Sequence, residues 1–209
     1  MKTINTNNGI YEYHEIELTG EKRINRLISK DNLLDLKILL DENNIKFGLI
    51  YGTLLGAYRE NNFIEHDIDT DIFILNEDQD KLISILFELR NIGFEVARYR
   101  GSLVSIIRND EYIDIYIFQK KGRSTRECLG NVINSCFLDN LKEYEFLGKM
   151  FNIPEDTEKL LVSMYGKDWM TPKENTPATN YGWYLTIRSY ISRSQTLFKI
   201  IGWIKRKVI

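Results

Sequence analysis

The stretch YGTLLGAYRENNFIEHDIDTDIFI, residues 51–74, sets three acids, Asp67, Asp69 and Asp71, at every second position directly ahead of an apolar run. Alternate residues of a strand share a face, so Asp69 and Asp71 bring two carboxylates within a few ångströms of each other. At that spacing two anions cost each other about 1 kcal/mol or more unless a cation lies between them. Carboxylate oxygens suit Mg2+ or Mn2+, which bind through few acids and keep coordination positions for phosphate. Upstream, Gly52 and Thr53 fall where a strand ends and turns straight into a helix. Backbone N–H groups and a hydroxyl at the positive end of a helix dipole make a seat for phosphate, and Arg59, further along that helix, adds charge to it. A metal clamp and a phosphate seat in one region describe phosphoryl or nucleotidyl transfer, where positioning and charge neutralisation carry most of the catalysis.

Working outward, the spacing of apolar residues predicts strands at Lys46–Tyr51 and Ile72–Leu75, with a helix over Thr53–Glu60 between them. A helix follows over Asp78–Asn91, closed by Gly93. Strands come next at Phe94–Tyr99, Leu103–Arg108 and Tyr112–Phe118, the last two joined across Asn109-Asp110. In the last of these Asp114 interrupts a strongly apolar run, and an acid there needs a partner. Before the quoted stretch lie an edge segment near Ile10–Leu18 and a helix over Glu21–Glu42, expected to break near Lys30–Asn32. After the sheet come a polar, basic loop over Lys120–Gly130, strands within Glu143–Ile153 and a helix over Pro154–Tyr165. An ordered loop over Gly166–Gly182 and a helix over Leu185–Ile209 complete the reading. The fold class expected is α+β, a small mixed sheet flanked by helices with a helical C-terminal extension. Residues 1–184 form one catalytic domain and residues 185–209 the extension.

Composition narrows the function. The chain has 209 residues, 43% hydrophobic and 28% charged, enough for one sizeable core. Lys and Arg number 28 against 30 Asp and Glu, a balance that argues against a nucleic-acid partner. Cys128 and Cys136 form neither a CxxC pair nor a cluster with histidine, so a disulfide framework or structural zinc is not expected and a reducing compartment is. The N-terminal stretch lacks the apolar core of a secretion signal, and no run reaches the length of a membrane span. The expected location is cytoplasmic. No acid follows Glu174, whereas Arg188, Arg193, Lys199, Lys205, Arg206 and Lys207 do. From Leu197 onward, Leu197, Ile200, Ile201, Ile204 and Val208 share one helical face with the cations opposite or flanking, the pattern of a helix lying in a membrane interface. A helix packed on the domain or on a second copy shows the same pattern.

The order Gly-Thr, helix, Asp-x-Asp at a strand start, then a third Asp on a later strand is similar to the nucleotidyltransferase, polymerase beta-like, fold. More narrowly, GTLLGAYRENNFIEHDIDTDIFI resembles the signature of the LicD/fukutin phosphotransferases, YIDIYIF resembles their Ile-Asp-Ile strand, and IPEDTEKLLVSMYGKDWMTP, residues 153–172, resembles their Tyr-Gly-x-x-Trp-x-x-Pro segment. The family often carries Pro-Trp-Asp-Asp-Asp where this chain has Glu65-His66-Asp67-Ile68-Asp69, so one acid is Ile68 here and an aromatic is His66. The resemblance implies transfer of a phospho-alcohol, such as phosphocholine, ribitol phosphate or glycerol phosphate, from a CDP-activated donor. The acceptor is a hydroxyl of a surface glycan or its lipid-linked precursor, and CMP leaves. On that mechanism Asp69 and Asp71 hold one or two Mg2+ or Mn2+ ions on the donor diphosphate, and Asp114 completes the second metal site and either receives the acceptor's proton or lowers the hydroxyl's pKa through the metal. Gly52, Thr53 and Arg59 hold phosphate, His66 and Asp67 line the site, and Tyr165 and Trp169 stack on the cytosine or acceptor sugar.

Each residue has a plainer reading. Asp67, Asp69 and Asp71 fit a solvated turn capping a helix, Asp114 a salt-bridged structural acid, Arg59 a surface position and Thr53 an N-cap. His66 fits a local hydrogen-bond partner, and Tyr165 and Trp169 fit core aromatics. Two other functions share parts of the pattern. A nucleotidyltransferase acting on a small molecule such as an aminoglycoside or lincosamide antibiotic would share Gly-Thr and Asp-x-Asp. A binding module that kept the fold would be expected to have lost acids.

Overall fold

The computed structural model describes residues 1–17 and 22–172. The chain opens with a hairpin of β1 (Lys2–Thr6) and β2 (Gly9–Tyr13). Arg90 pins it: the guanidinium stacks on the Tyr11 ring at 3.9 Å and bonds Glu95, which also accepts from the Tyr11 hydroxyl. Helix α1 (Arg26–Glu42) starts at Asn25, whose side chain accepts from the Leu27 and Ile28 amides. It runs unbroken through 30–32, against the expected interruption. Asn32 faces inward, donates to the Arg108 carbonyl at 2.9 Å and accepts from Arg108 Nε at 2.8 Å, so its polarity is satisfied without ending the helix.

Strand β3 (Phe47–Leu49), helix α2 (Tyr51–Glu60) and strand β4 (Thr70–Leu75) follow closely along the expected lines. The single helix predicted over 78–91 is instead a one-turn 3-10 segment at Asn76–Asp78, then α3 (Gln79–Ser84) and α4 (Leu86–Asn91). The interruption at Ile85 leaves Leu82, Ile85, Leu86 and Leu89 all buried. Gly93, at φ +92, ends α4 as expected, with its amide on the Arg90 carbonyl and that of Phe94 on the Leu89 carbonyl. Strands β5 (Glu95–Tyr99), β6 (Leu103–Arg108) and β7 (Glu111–Lys120) come next, the last two joined by Asn109 and Asp110 at positive φ.

The expected basic loop over 120–130 contains a hairpin, β8 (Thr125–Cys128) with β9 (Asn131–Asn134), continuing from the end of β7. Its alternation was hidden because an arginine, Arg126, takes an inward position beside Cys128. Helix α5 (Ser135–Asp139) and a two-stranded sheet of β10 (Leu141–Phe146) and β11 (Lys149–Pro154) close this part.

The main sheet runs β3-β4-β7-β6-β5. Only the β4–β7 pairing is parallel on that path, so the sheet is mixed. Ile72 and Ile74 of β4, Ile113, Ile115 and Ile117 of β7, and Val104 and Ile106 of β6 form its buried apolar face, and α1 packs at β7. The opposite face carries the polar residues described below. Phe63, buried 5.5 Å from Phe146, anchors the loop that leads from α2 to the acids.

The chain divides into two compact units after Thr157. The described part of the second holds nearly all of α6 (Thr157–Tyr165), followed by turns in which the Gly166 amide bonds the Val162 carbonyl and the Thr171 amide that of Asp168. The helix expected at 185–209, with its proposed membrane contact, and most of the loop over 166–182 lie outside the described residues. Among the described residues no helix is long and apolar enough to cross a membrane.

Candidate active site

Register across the sheet builds the site. Asp71 on β4 pairs with Asp114 on β7, Asp114 with Ser105 on β6, and Ser105 with Arg98 on β5. Paired residues of neighbouring strands point to one side, so Asp71, Asp114, Ser105 and Arg98 make one polar row over four strands. Alternation along β7 adds Tyr112 and Tyr116 to the same face as Asp114. Asp114 Oδ1 accepts from the Ser105 hydroxyl and from Arg98 Nη2 at 3.3 Å. Its Oδ2 accepts from Arg98 Nη2 at 3.0 Å and from the Tyr116 hydroxyl at 3.5 Å.

At the head of β4, one oxygen from each of Asp67, Asp69 and Asp71 lies within 4.8 Å of the others. Asp71 is buried and firmly held: Gly52 N–H donates to its Oδ2 at 3.1 Å, and its own amide donates to Thr53 Oγ at 2.8 Å. Gly52 has a steric reason as well. A Cβ there would sit 2.2 Å from Asp67 Oδ2, so a side chain would push that carboxylate away. Just before it, Tyr51 opens α2 at φ +48, a strained value for a bulky residue. Its ring meets Tyr116 edge-on at 4.8 Å, and its hydroxyl accepts from Asn131.

The electrostatics follow from this crowding. Burial above all, then the Asp67 and Asp114 carboxylates, pushes Asp69 up to about 8, while a hydrogen bond with Tyr112 pulls it down. Asp71 is pushed well above the ordinary carboxylate range, by burial first and then by Asp69, Asp67 and Asp114. Burial also raises Asp67 and Asp114, opposed in the first by the Ile68 amide and in the second by Ser105 and Arg98. Acids this close are unfavourable as anions unless a cation shares them. Three converging carboxylate oxygens are the donor set of a hard divalent ion, so these residues fit a metal.

Two placements differ from expectation. Among the described residues the group suited to a metal is Asp67, Asp69 and Asp71; Asp114 lies beside it with both oxygens already in hydrogen bonds. The Gly52 amide and Thr53 hydroxyl, expected to face phosphate, here hold Asp71. Arg59, near the end of α2, pairs with Glu60, and His66 is exposed next to Asp67. Tyr165 and Trp169 belong to the second unit, where the Trp169 amide bonds the Gly166 carbonyl. Sequence reasoning missed Arg98, Ser105, Tyr112 and Tyr116. The tyrosines were findable, since they flank Asp114 at two residues on either side, and Ser105 is the polar residue inside the apolar run LVSII.

Comparison with known proteins agrees with this architecture. A family model described as LicD/FKTN/FKRP, nucleotidyltransferase domain, matches residues 44–156, more than half of the chain, including the acids and the polar row. An uncharacterised protein of Rickettsia typhi is 34% identical over 113 residues, covering 52% of this chain and 36% of that protein. An uncharacterised protein of Caenorhabditis elegans, T07A5.1, is 28% identical over 170 residues, covering 73% of this chain and 44% of the relative. The chain thus spans less than half the length of the curated relatives it matches. Among solved structures, the solution structure of the antibiotic-resistance factor ANT(2'')-Ia superposes with a TM-score of 0.51 at 14% identity, covering 87% of this chain and 93% of the other. At that identity the likeness is one of fold.

Proposed function

This chain belongs to the LicD/FKTN/FKRP nucleotidyltransferase-domain family, and from that premise we propose that it transfers a phospho-alcohol from a CDP-activated donor to a hydroxyl of a surface glycan or lipid-linked glycan precursor, releasing CMP. The observation that carries this reading is the convergence of Asp67, Asp69 and Asp71 within the family-matched segment. Mg2+ or Mn2+ bound there supplies charge neutralisation for the donor diphosphate. Asp69 and Asp71 hold it, with Asp67 as third ligand. Gly52 and Thr53 fix Asp71, so that its carboxylate keeps its position as substrates come and go.

Asp114 receives the proton of the acceptor hydroxyl. The hydroxyl oxygen bonds the phosphorus, the phosphorus–oxygen bond to CMP breaks, and CMP leaves with the electron pair. Arg59 is assigned to the donor's phosphates and His66 to the lining of the substrate site. A cytoplasmic location, and contact of residues 185–209 with the membrane that carries a lipid-linked acceptor, belong to the same proposal.

The test follows both halves of a doubly labelled donor. CDP-choline, CDP-ribitol, CDP-glycerol and CDP-ethanolamine are each supplied with Mg2+, first in a thermal-shift screen and then with glycan acceptor. Head-group transfer with release of CMP is expected. Release of diphosphate with transfer of the nucleotide would assign the chemistry to nucleotidyl transfer instead, and no Mg2+-dependent binding of any donor would overturn the proposal.

A further inference from the structure

Arg98 is brought into the acidic site by an irregularity in the sheet. The register of β5 against β6 shifts between Val96 and Arg98, and the extra residue, Ala97, gives its carbonyl to the Ile16 amide at 2.9 Å. Such bulges re-aim a side chain, and this one sets Arg98 opposite Ser105 on the face of Asp114. Nε donates to Ser105 Oγ at 3.1 Å, and Nη2 donates to both oxygens of Asp114. Nη1 donates to no protein group among the described residues, and the side chain is 29% exposed.

Arg108 and Arg126 show the contrast; Arg90 also bonds through Nε and Nη2 alone, but lies at the first hairpin. Arg108 spends Nε on Asn32, Nη1 on the Ile92 carbonyl and Nη2 on Asp35. Arg126 spends Nε on Asp139, Nη1 on Asn76 and Glu77, and Nη2 on Glu77. Both structural guanidiniums are used on every nitrogen. Arg98 is locked along one edge and open at the other, and its charge reaches Asp69 and Tyr112 as well as Asp114. A rigid planar fork with one free donor pair beside a metal site matches a phosphate oxygen.

We infer that Arg98 is a substrate-contact residue: Nη1 donates to a phosphate oxygen of the donor while Nη2 keeps Asp114 in place, an inference that rests on the phosphoryl-transfer reading above. Arg98 then does two jobs that a lysine cannot do together, because a single ammonium cannot bridge Asp114 and a phosphate in fixed geometry.

The test measures binding of inorganic pyrophosphate and of CDP, each with saturating Mn2+, and of Mn2+ alone, by calorimetry on the full chain. Arg98→Lys keeps a charge opposite Asp114 and so guards the fold; Arg98→Gln removes it. Both variants should lose at least tenfold in pyrophosphate affinity while Mn2+ affinity stays equal or tightens. Unchanged pyrophosphate affinity in Arg98→Lys would overturn the inference. So would recovery of affinity when Asp114→Asn is added to Arg98→Gln, since Arg98 would then act only by neutralising Asp114. A wild-type chain that binds pyrophosphate but not CDP removes the cytidine donor and leaves the Arg98 comparison standing. One that binds neither ends both.

Discussion

Two charge clusters in this molecule are built on opposite balances. Around Arg126 one guanidinium meets Glu77 in a two-pronged pair at 3.1 Å, Asp139 at 2.8 Å and the Asn76 side chain. Arginine draws Glu77 down to about 2. Around Asp71 four carboxylates, Asp67, Asp69, Asp71 and Asp114, share the company of Arg98, and Asp69 is driven up to about 8. With Lys120 also 3.4 Å from Glu77, the first cluster sets two cations against two carboxylates, closes its charge balance within the protein and serves the fold. The second leaves a surplus of negative charge in a buried place, which costs stability and becomes useful only when a cation arrives.

Asp69→Asn is the strongest way to break this contrast. Transfer should fall about a thousandfold, the scale of removing a preorganised charge-stabilising group. In metal-free buffer the melting temperature should rise, because one source of repulsion, worth about 1 kcal/mol, is gone. A variant with near-normal turnover, or one that melts lower without metal, would contradict the assignment. Arg126→Met attacks the balanced cluster and should have the opposite signature: metal binding unchanged and about 1 kcal/mol lost in urea unfolding, since Glu77 and Asp139 are part exposed and water solvates the carboxylates left behind.

Gly52→Ala sharpens the comparison within the acidic cluster. Its Cβ displaces the Asp67 carboxylate, so Mn2+ affinity should fall about tenfold, as for loss of a group supporting a metal ligand, with the fold retained by circular dichroism. The smallest effect concerns pH. Glu77 is held below its ordinary value of 4.5, at about 2, by Arg126. A depressed acid stabilises the fold above its unfolded value, and that stability is lost as pH falls through the folded one. Wild type should therefore lose more stability than Glu77→Gln as pH falls from 4.5 toward 2, by a modest margin because Glu77 is half exposed. Equal acid limbs in the two unfolding profiles would show that the pair contributes nothing.

Local rules made much of the fold readable. Helix α2, strands β3 to β7, the Gly93 cap and the Asn109-Asp110 turn each depend on neighbours in sequence, and each stands close to where periodicity and turn chemistry put it. Two of the misreadings fall where a polar residue finds a distant partner. Asn32 looked like a helix breaker until Arg108, 76 residues away, satisfied it. Arg126 made the β8–β9 hairpin look like a loop because Glu77 and Asp139, which permit its burial, are far along the chain.

The sequence alone determined the acids. Period-two spacing brings Asp69 and Asp71 together where the chain enters β4, and no packing is needed to make them repel or to make a cation welcome; Asp67, in the loop ahead of the strand, joins them through the fold. It also marked Asp114 as an acid that an apolar strand would not carry without cause. Tertiary structure decided what surrounds them: that Asp114 lies against Asp71, that Arg98 and Ser105 complete the row, and that the Gly52 amide and the Thr53 hydroxyl both serve Asp71. Those contacts depend on the register of four strands and on one bulge. Register is a global property, fixed by which faces bury their apolar residues and not by any short run of sequence.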